Sequence, residues 1–228
     1  MNNTKNIRIA LDGPAAAGKS TAAKKIAEKL GFIYIDSGAM YRTLTYKALK
    51  NQIDPKNEQE LYNLLLNTVI ELKPGKEGQL VYLDNEEVTS EIRQQNVTQN
   101  VSDVSLHKLV RSEMVRRQQE LVKNGGIVMD GRDIGTAVIP DAELKIFMSA
   151  TAEERARRRF EEHQKQGIIS DLHELKAEIE KRDHIDSTRA VSPLVKAEDA
   201  IELDTTHMSI SEVVNKVTEL AADRGATL

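Results

Sequence analysis

Cysteine is absent from this sequence, so disulfides, cysteine zinc sites and a thiol nucleophile are excluded. The five histidines, His107, His163, His173, His184 and His207, are scattered without metal-ligand spacing. They read as surface or partly packed side chains. No apolar run is long enough to span a membrane. Met1 to Asn6 is polar and has no apolar h-region, so no signal peptide is expected. A net charge of −4 marks no general nucleic-acid or membrane surface. Internal repeats and low-complexity segments are also lacking. The expectation is a soluble protein of the cytoplasm with no nucleic-acid or membrane partner.

What is present is a chain of 228 residues, 39% hydrophobic and 30% charged, enough for one sizeable core with an insertion. It is organised around Gly13-Pro14-Ala15-Ala16-Ala17-Gly18-Lys19-Ser20-Thr21, which fits G-x-x-x-x-G-K-[ST], the phosphate-binding P-loop. Gly13 and Gly18 let the backbone turn where a Cβ would obstruct it. The N–H groups of the loop then converge on phosphate oxygens. Lys19 supplies positive charge to the β- and γ-phosphates, and Ser20 offers a hydroxyl to Mg²⁺. The context fits. Ile7 to Leu11 is a short apolar strand, and Ala22, Ile26, Ala27 and Leu30 recur at helical spacing up to a C-cap at Gly31.

Further strands are expected at Phe32–Ile35, Ile127–Asp130, Leu144–Met148 and Ala200–Leu203. Asp36-Ser37-Gly38 reads as a turn, followed by a helix over about 39–50 and another over 58–67. Residues 68–88 change character. Short extended runs around Pro74-Gly75-Lys76-Glu77-Gly78 and Asp84-Asn85 predict a small antiparallel sheet in an inserted lobe. A long helix is expected over about 106–123, then a polar loop from Gly131 to Thr136. Thr151-x-x-Glu154 and Ser209-x-x-Glu212 are capping boxes, and another helix covers about 172–184. Strands alternating with helices imply a parallel sheet covered on both faces. Ligands of such sheets bind beyond the carboxyl ends of the strands, so the P-loop, Asp36–Gly38 and Asp130–Asp133 should converge.

The arginines carry more information than the P-loop. Arg42 and Arg132 follow strand ends. Arg182, Asp186 and Arg189 fall at i, i+4, i+7, and Arg155, Arg157, Arg158 and Arg159 crowd a helix start. A phosphorylated acceptor repels the donor unless both are clamped, and the planar guanidinium fork grips phosphate bidentately. Each has a plainer reading. The first set could be a solvated helix face, and the second could pair with Glu153, Glu154, Glu161 and Glu162. Arg42 could merely pair with Asp36. Asp130 could hold the water shell of Mg²⁺, or cap the loop that follows it.

Taken together, GPAAAGKST, DSGAMYR at 36–42, DGRDIGT at 130–136 and RD..D..RAVSPL at 182–194 resemble bacterial cytidylate kinase over essentially the whole chain. The resemblance implies an α/β P-loop three-layer sandwich with a parallel five-stranded sheet of order 2-3-1-4-5. It implies a P-loop core at 1–38 and 105–228, a lid at about 153–168, and a monophosphate-binding region at 39–104. Gly13 to Thr21 and Arg157 would bind ATP. Lys19, Arg132, Arg158 and Arg159 would be catalytic. Ser37, Ser102, Arg111 and Asp133 would frame cytosine, and Arg182 with Asp186 would hold the ribose. Arg42, Arg132 and Arg189 would grip the acceptor phosphate. Mg²⁺ would sit on Ser20, with Asp130 reaching it through water. The implied reaction is ATP-dependent phosphorylation of CMP and dCMP by a monomer.

Two rival readings have discriminating features. A kinase for UMP, AMP or an alcohol such as shikimate would use the same P-loop. The arginines argue against an alcohol, and DGRDIGT against an adenylate-type kinase. A GTPase switch would need N-K-x-D, and Asn215-Lys216-Val217-Thr218 lacks the aspartate.

Overall fold

The computed structural model describes residues 6–75, 78–165 and 167–226. The expected turn at Lys76-Glu77, most of the segment read for a signal peptide, and residue 166 of the expected lid lie outside them. A parallel sheet contains β1 (Arg8–Asp12), β2 (Ile33–Asp36), β6 (Ile127–Gly131), β7 (Leu144–Ser149) and β8 (Ile201–Asp204). Its order is β2-β6-β1-β7-β8. Counting these five strands alone, that is the expected 2-3-1-4-5. The register sets Asp36 beside Asp130, and Asp12 beside Gly131. The polar residues at three strand ends are therefore brought side by side.

Helices cover both faces, as buried parallel strands require. Helices α1 (Lys19–Leu30) and α8 (Ile210–Asp223) seal one face, with Ala22, Ile26, Val217 and Ala221 against Ile9, Leu11, Val128 and Ile146. On the other face Val122, Ile134 and Val138 pack on Ala10, Ile35 and Met129. A second core joins α2 (Ser37–Lys50), α3 (Glu58–Leu66), α4 (Gln95–Leu106) and α5 (Lys108–Leu121) through Met40, Leu44, Leu61, Val104 and Met114. The small antiparallel sheet consists of β3 (Ile70–Gly75), β4 (Gly78–Leu83) and β5 (Glu86–Glu87). It rests on α2 and the 3₁₀ turn Glu91–Arg93 through Ala39, Val81, Leu83 and Ile92. Helices α6 (Ala152–Lys165) and α7 (Leu172–Thr188) complete the chain order. No helix among the described residues is long and apolar enough to cross a membrane.

Several local expectations are corrected. Asp36-Ser37-Gly38 is not a turn. Asp36 caps α2 by accepting from the Ala39 N–H at 2.9 Å, so the helix begins at Ser37. Helix α4 is separate from α5, the break falling at His107, whose ring bonds the Pro55 carbonyl at 2.9 Å. The loop after β6 is wound into a π-type turn, Ile134–Val138. The Thr151 box is half made. Thr151 accepts from the Glu154 N–H at 3.3 Å, but the Glu154 carboxylate turns to Arg157 and Arg158 instead. Ser209 and Glu212 form the complete box expected of them.

Candidate active site

The site grows out of β1. Gly13 has φ 147°, and a Cβ there would stand 2.0 Å from the Met148 carbonyl oxygen. Only glycine lets the chain pass β7 so closely. Gly18, with φ 87°, precedes α1 and provides no side-chain cap, and the first turn of α1 carries no acidic residue. The N–H groups at this helix end are therefore left for an anion. Lys19 is buried, and its ammonium donates to the Pro14 carbonyl at 2.6 Å. Burial, with Arg132 nearby, pushes its pKa well below the ordinary lysine value. A polyphosphate at this point would return the charge to it.

Beside the loop stands Asp130. Its carboxylate accepts from Ser20 Oγ at 2.7 Å and from the Tyr34 hydroxyl at 2.8 Å. Burial, then its neighbour Asp36, raises its pKa. A divalent cation would relieve that penalty. Among the described residues no group of three or more histidine, aspartate or glutamate side chains could hold a metal. Ser20 and Asp130 alone suit a Mg²⁺ that takes its other oxygens from phosphate and water.

A cleft of about 890 Å³ runs from the P-loop to the far side of the sheet ends. Ala15 to Thr21, Ser37, Arg42, Arg111, Arg132, Asp133, Arg158, Arg159, Arg182, Asp186 and Arg189 all line it. The sequence-predicted donor and acceptor residues thus meet in one space. Gly13 and Pro14 do not line the cleft; Gly13 passes close to Met148, and the Pro14 carbonyl accepts from Lys19. Ser102 does not line the cleft, although Val101 and Ser105 on the same helix do. Arg157 points away, more than half exposed and paired with Glu154 and Glu161.

The acceptor side is a lattice of arginine and aspartate. Arg42 donates to Asp36 at 2.7 Å, and Arg132 to Asp186 at 2.9 Å. Arg111, buried against the Tyr41 ring, donates to Asp133 at 2.5 Å and to the Ser105 carbonyl at 3.1 Å. Arg189 stands 3.5 Å from Asp186 and 3.6 Å from Asp133. It reaches them from just beyond α7, where its backbone is already extended. The expected single helical face is therefore correct for Arg182 and Asp186 only. Burial, then Arg132, lowers the Arg182 pKa to about 10. Arg42 Nε, Arg111 Nε, Arg182 Nε, Arg189 Nη2 and the Tyr41 hydroxyl are buried without a hydrogen-bond partner among the described residues. Buried donors without partners are costly, and these five belong to residues that line the same cleft.

Two of the three plain readings of the arginines are realised in part. Arg42 does pair with Asp36, and Arg158 does pair with Glu154. Arg158 also donates to the Thr205 carbonyl at 2.5 Å, and both residues line the cleft. Arg155 is buried and binds the Ala15 carbonyl at 3.1 Å and Asp183 of α7 at 2.6 Å. It ties the P-loop to the helix that carries Arg182.

Sequence reasoning missed four features. Asp12 accepts from the Ile134 and Gly135 N–H groups at 2.8 and 2.7 Å, fixing the turn that holds Arg132 and Asp133. Tyr41 and Arg93 line the acceptor half. Met208, Ile210 and Val213 form an apolar wall at the donor end. An aspartate ending a strand before a P-loop was the one available signal for Asp12.

A family model described as cytidylate kinase matches residues 9–223. A cytidylate kinase of Anoxybacillus flavithermus is 59% identical over 220 residues, spanning 96% of this chain and 98% of its own length. One from Bacillus cereus is 57% identical over 218 residues, spanning 96% and 97%. Among solved structures, an uncharacterized protein from Eubacterium ventriosum aligns with TM-score 0.51 at 13% identity, covering 96% of this chain and 99% of its own. That likeness concerns the fold alone.

Proposed function

The chain belongs to the cytidylate kinase family, and we propose that its cleft moves the terminal phosphoryl group of ATP directly onto CMP or dCMP, giving ADP and CDP or dCDP. The observation that carries this reading is the set of buried donors without partners among the described residues, on Arg42, Arg111, Arg182, Arg189 and Tyr41, all residues that line the same cleft as the P-loop. Such donors suit a ligand with a phosphate, a sugar and a polar base edge.

The donor triphosphate lies along Gly13 to Thr21, its base toward the wall of Met208, Ile210 and Val213. Lys19, Arg132, Arg158 and Arg159 neutralise charge on the transferred group. Phosphoryl transfer depends mainly on such positioning and charge, so no protein nucleophile is needed. Mg²⁺ held by Ser20, with Asp130 through water, supplies further neutralisation of the phosphate oxygens when bound. Arg157 would first have to leave Glu154 and Glu161 to reach ATP.

On the acceptor side, Arg42, Arg132 and Arg189 take the phosphate, and Asp186 with Arg182 takes the ribose hydroxyls. Asp133 and Arg111, with Ser37, read the base, and Ser102, which does not line the cleft, would first have to turn in from α4 to join them. Cytosine offers an amino donor to Asp133. The uracil carbonyl of UMP would present an acceptor to that carboxylate, which disfavours it. Residues 153–168 act as a lid that excludes water over the donor, and 39–104 as the monophosphate-binding region around the acceptor. The enzyme works as a cytoplasmic monomer on small molecules, with no nucleic-acid partner.

The test is ADP formation with ATP and each of CMP, dCMP, UMP and AMP. Turnover with CMP and dCMP well above the other two is expected. UMP serving as well as CMP would overturn the assignment of the base.

A further inference from the structure

Tyr34 lies in β2, two residues before Asp36 and on the same face of the sheet. Its ring packs on the core that α1 and α8 share, and Lys24 of α1 lies over it, 5.8 Å from the ring centroid. Packing asks only for an apolar body at this position. The phenol adds a hydroxyl, which donates to Asp130 Oδ1 at 2.8 Å. Tyr34 does not line the cleft, so any influence it has on a ligand is indirect.

Asp130 is pulled in several directions. Its Oδ2 accepts from Ser20 Oγ at 2.7 Å, and Lys19 attracts it. Asp36, its partner in register on the neighbouring strand, repels it. A carboxylate held at one oxygen can still turn, because the torsion that carries it is broad. With Tyr34 on Oδ1 and Ser20 on Oδ2, both oxygens are fixed. The Ser20 hydroxyl has one proton and two lone pairs. While the proton goes to Oδ2, the lone pairs are left for a cation. The orientation of Ser20 therefore follows the place of Oδ2, and the bond from Tyr34 holds the other end of that carboxylate. Outer partners of this kind orient metal ligands in other sites.

We propose that Tyr34 is a positioning residue for the Mg²⁺ site. Its hydroxyl fixes the Asp130 carboxylate so that Ser20 and Asp130 together receive the hydrated cation that accompanies the donor. The inference rests on the reading of Ser20 and Asp130 as the Mg²⁺ site given above.

The test follows Mn²⁺, a cation suited to the same oxygen ligands, by electron paramagnetic resonance on protein saturated with a non-hydrolysable ATP analogue. Tyr34→Phe keeps the ring and loses only the hydroxyl. It should hold Mn²⁺ about tenfold more weakly, the scale of losing an outer partner of a metal ligand. Isothermal titration of the analogue without metal should give the wild-type affinity. In an Asp130→Asn background, Tyr34→Phe should weaken Mn²⁺ no further, since its effect passes through that carboxylate. Wild-type Mn²⁺ affinity in Tyr34→Phe would overturn the proposal. An equal loss for the metal-free analogue would overturn it too, by marking Tyr34 as a prop for the P-loop, and so would additive losses in the double variant. Mn²⁺ affinity untouched by both Ser20→Ala and Asp130→Asn would instead overturn the metal reading on which this one rests.

Discussion

Asp186 serves two partners before any ligand arrives. One oxygen accepts from Arg132 at 2.9 Å, and the other lies 3.5 Å from Arg189. Burial alone would raise its pKa, but Arg132 and Arg182 hold it below the usual carboxylate value. On the proposed reading, removing it does more than delete a sugar contact, because it also frees Arg132 and Arg189, the two arginines proposed for the acceptor phosphate. In Asp186→Ala, kcat/KM should fall for CMP and dCMP alike, by roughly ten- to a hundredfold, as for loss of hydrogen bonds to a charged group. Steady-state kinetics on both acceptors checks this. A loss confined to CMP would reduce the residue to a reader of the 2′-hydroxyl. Unchanged values for both would return it to an ordinary helix-face carboxylate.

Among elements, the join between β1 and the π-type turn depends on Asp12. It is almost fully buried, and burial pushes its pKa up to about 6 against the pull of the Gly135 and Ile134 N–H groups. The folded value lies above the unfolded 3.8, so folding takes up a proton. The associated stability is fully present below about pH 4 and lost as pH rises through about 6. Asp12→Asn lacks this dependence, though its amide leaves one N–H group without an acceptor. From about pH 4 to pH 7, wild type should lose on the order of 3 kcal/mol relative to Asp12→Asn. Denaturant titrations across that range check it, and parallel pH curves would contradict it. This element also marks where legibility ended. Strand, glycine loop and helix were readable because the P-loop pattern is local. The fold of the loop after β6 was not, since it depends on an aspartate more than a hundred residues away. Helix α4 escaped notice because Gln95–Leu106 is rich in Asn, Thr, Ser and Val, poor helix formers. It is held by burial of Val97, Val101 and Val104, which only the packed molecule supplies. Likewise, spacing alone put Arg189 on a helix that ends one residue earlier.

For the whole molecule, the parallel sheet sets the P-loop and the arginines proposed for the acceptor at one end of its strands, and the helices lock their relation. Arg155 joins the P-loop to α7, and Asp12 joins β1 to the turn carrying Arg132 and Asp133. The alternation of strands and helices was enough to foresee that these ends converge. The two ties were not foreseen, since a buried polar contact between distant segments leaves no periodic trace. The account that results has both substrates in one cleft and no protein group between them. Direct transfer inverts the configuration at phosphorus, whereas passage through a phosphorylated side chain requires two transfers and retains it. The stereochemical course with ATP made chiral at its γ-phosphoryl group and CMP as acceptor is therefore the most direct test. The account predicts CDP with the inverted configuration at the transferred phosphorus. Retention of configuration would contradict it.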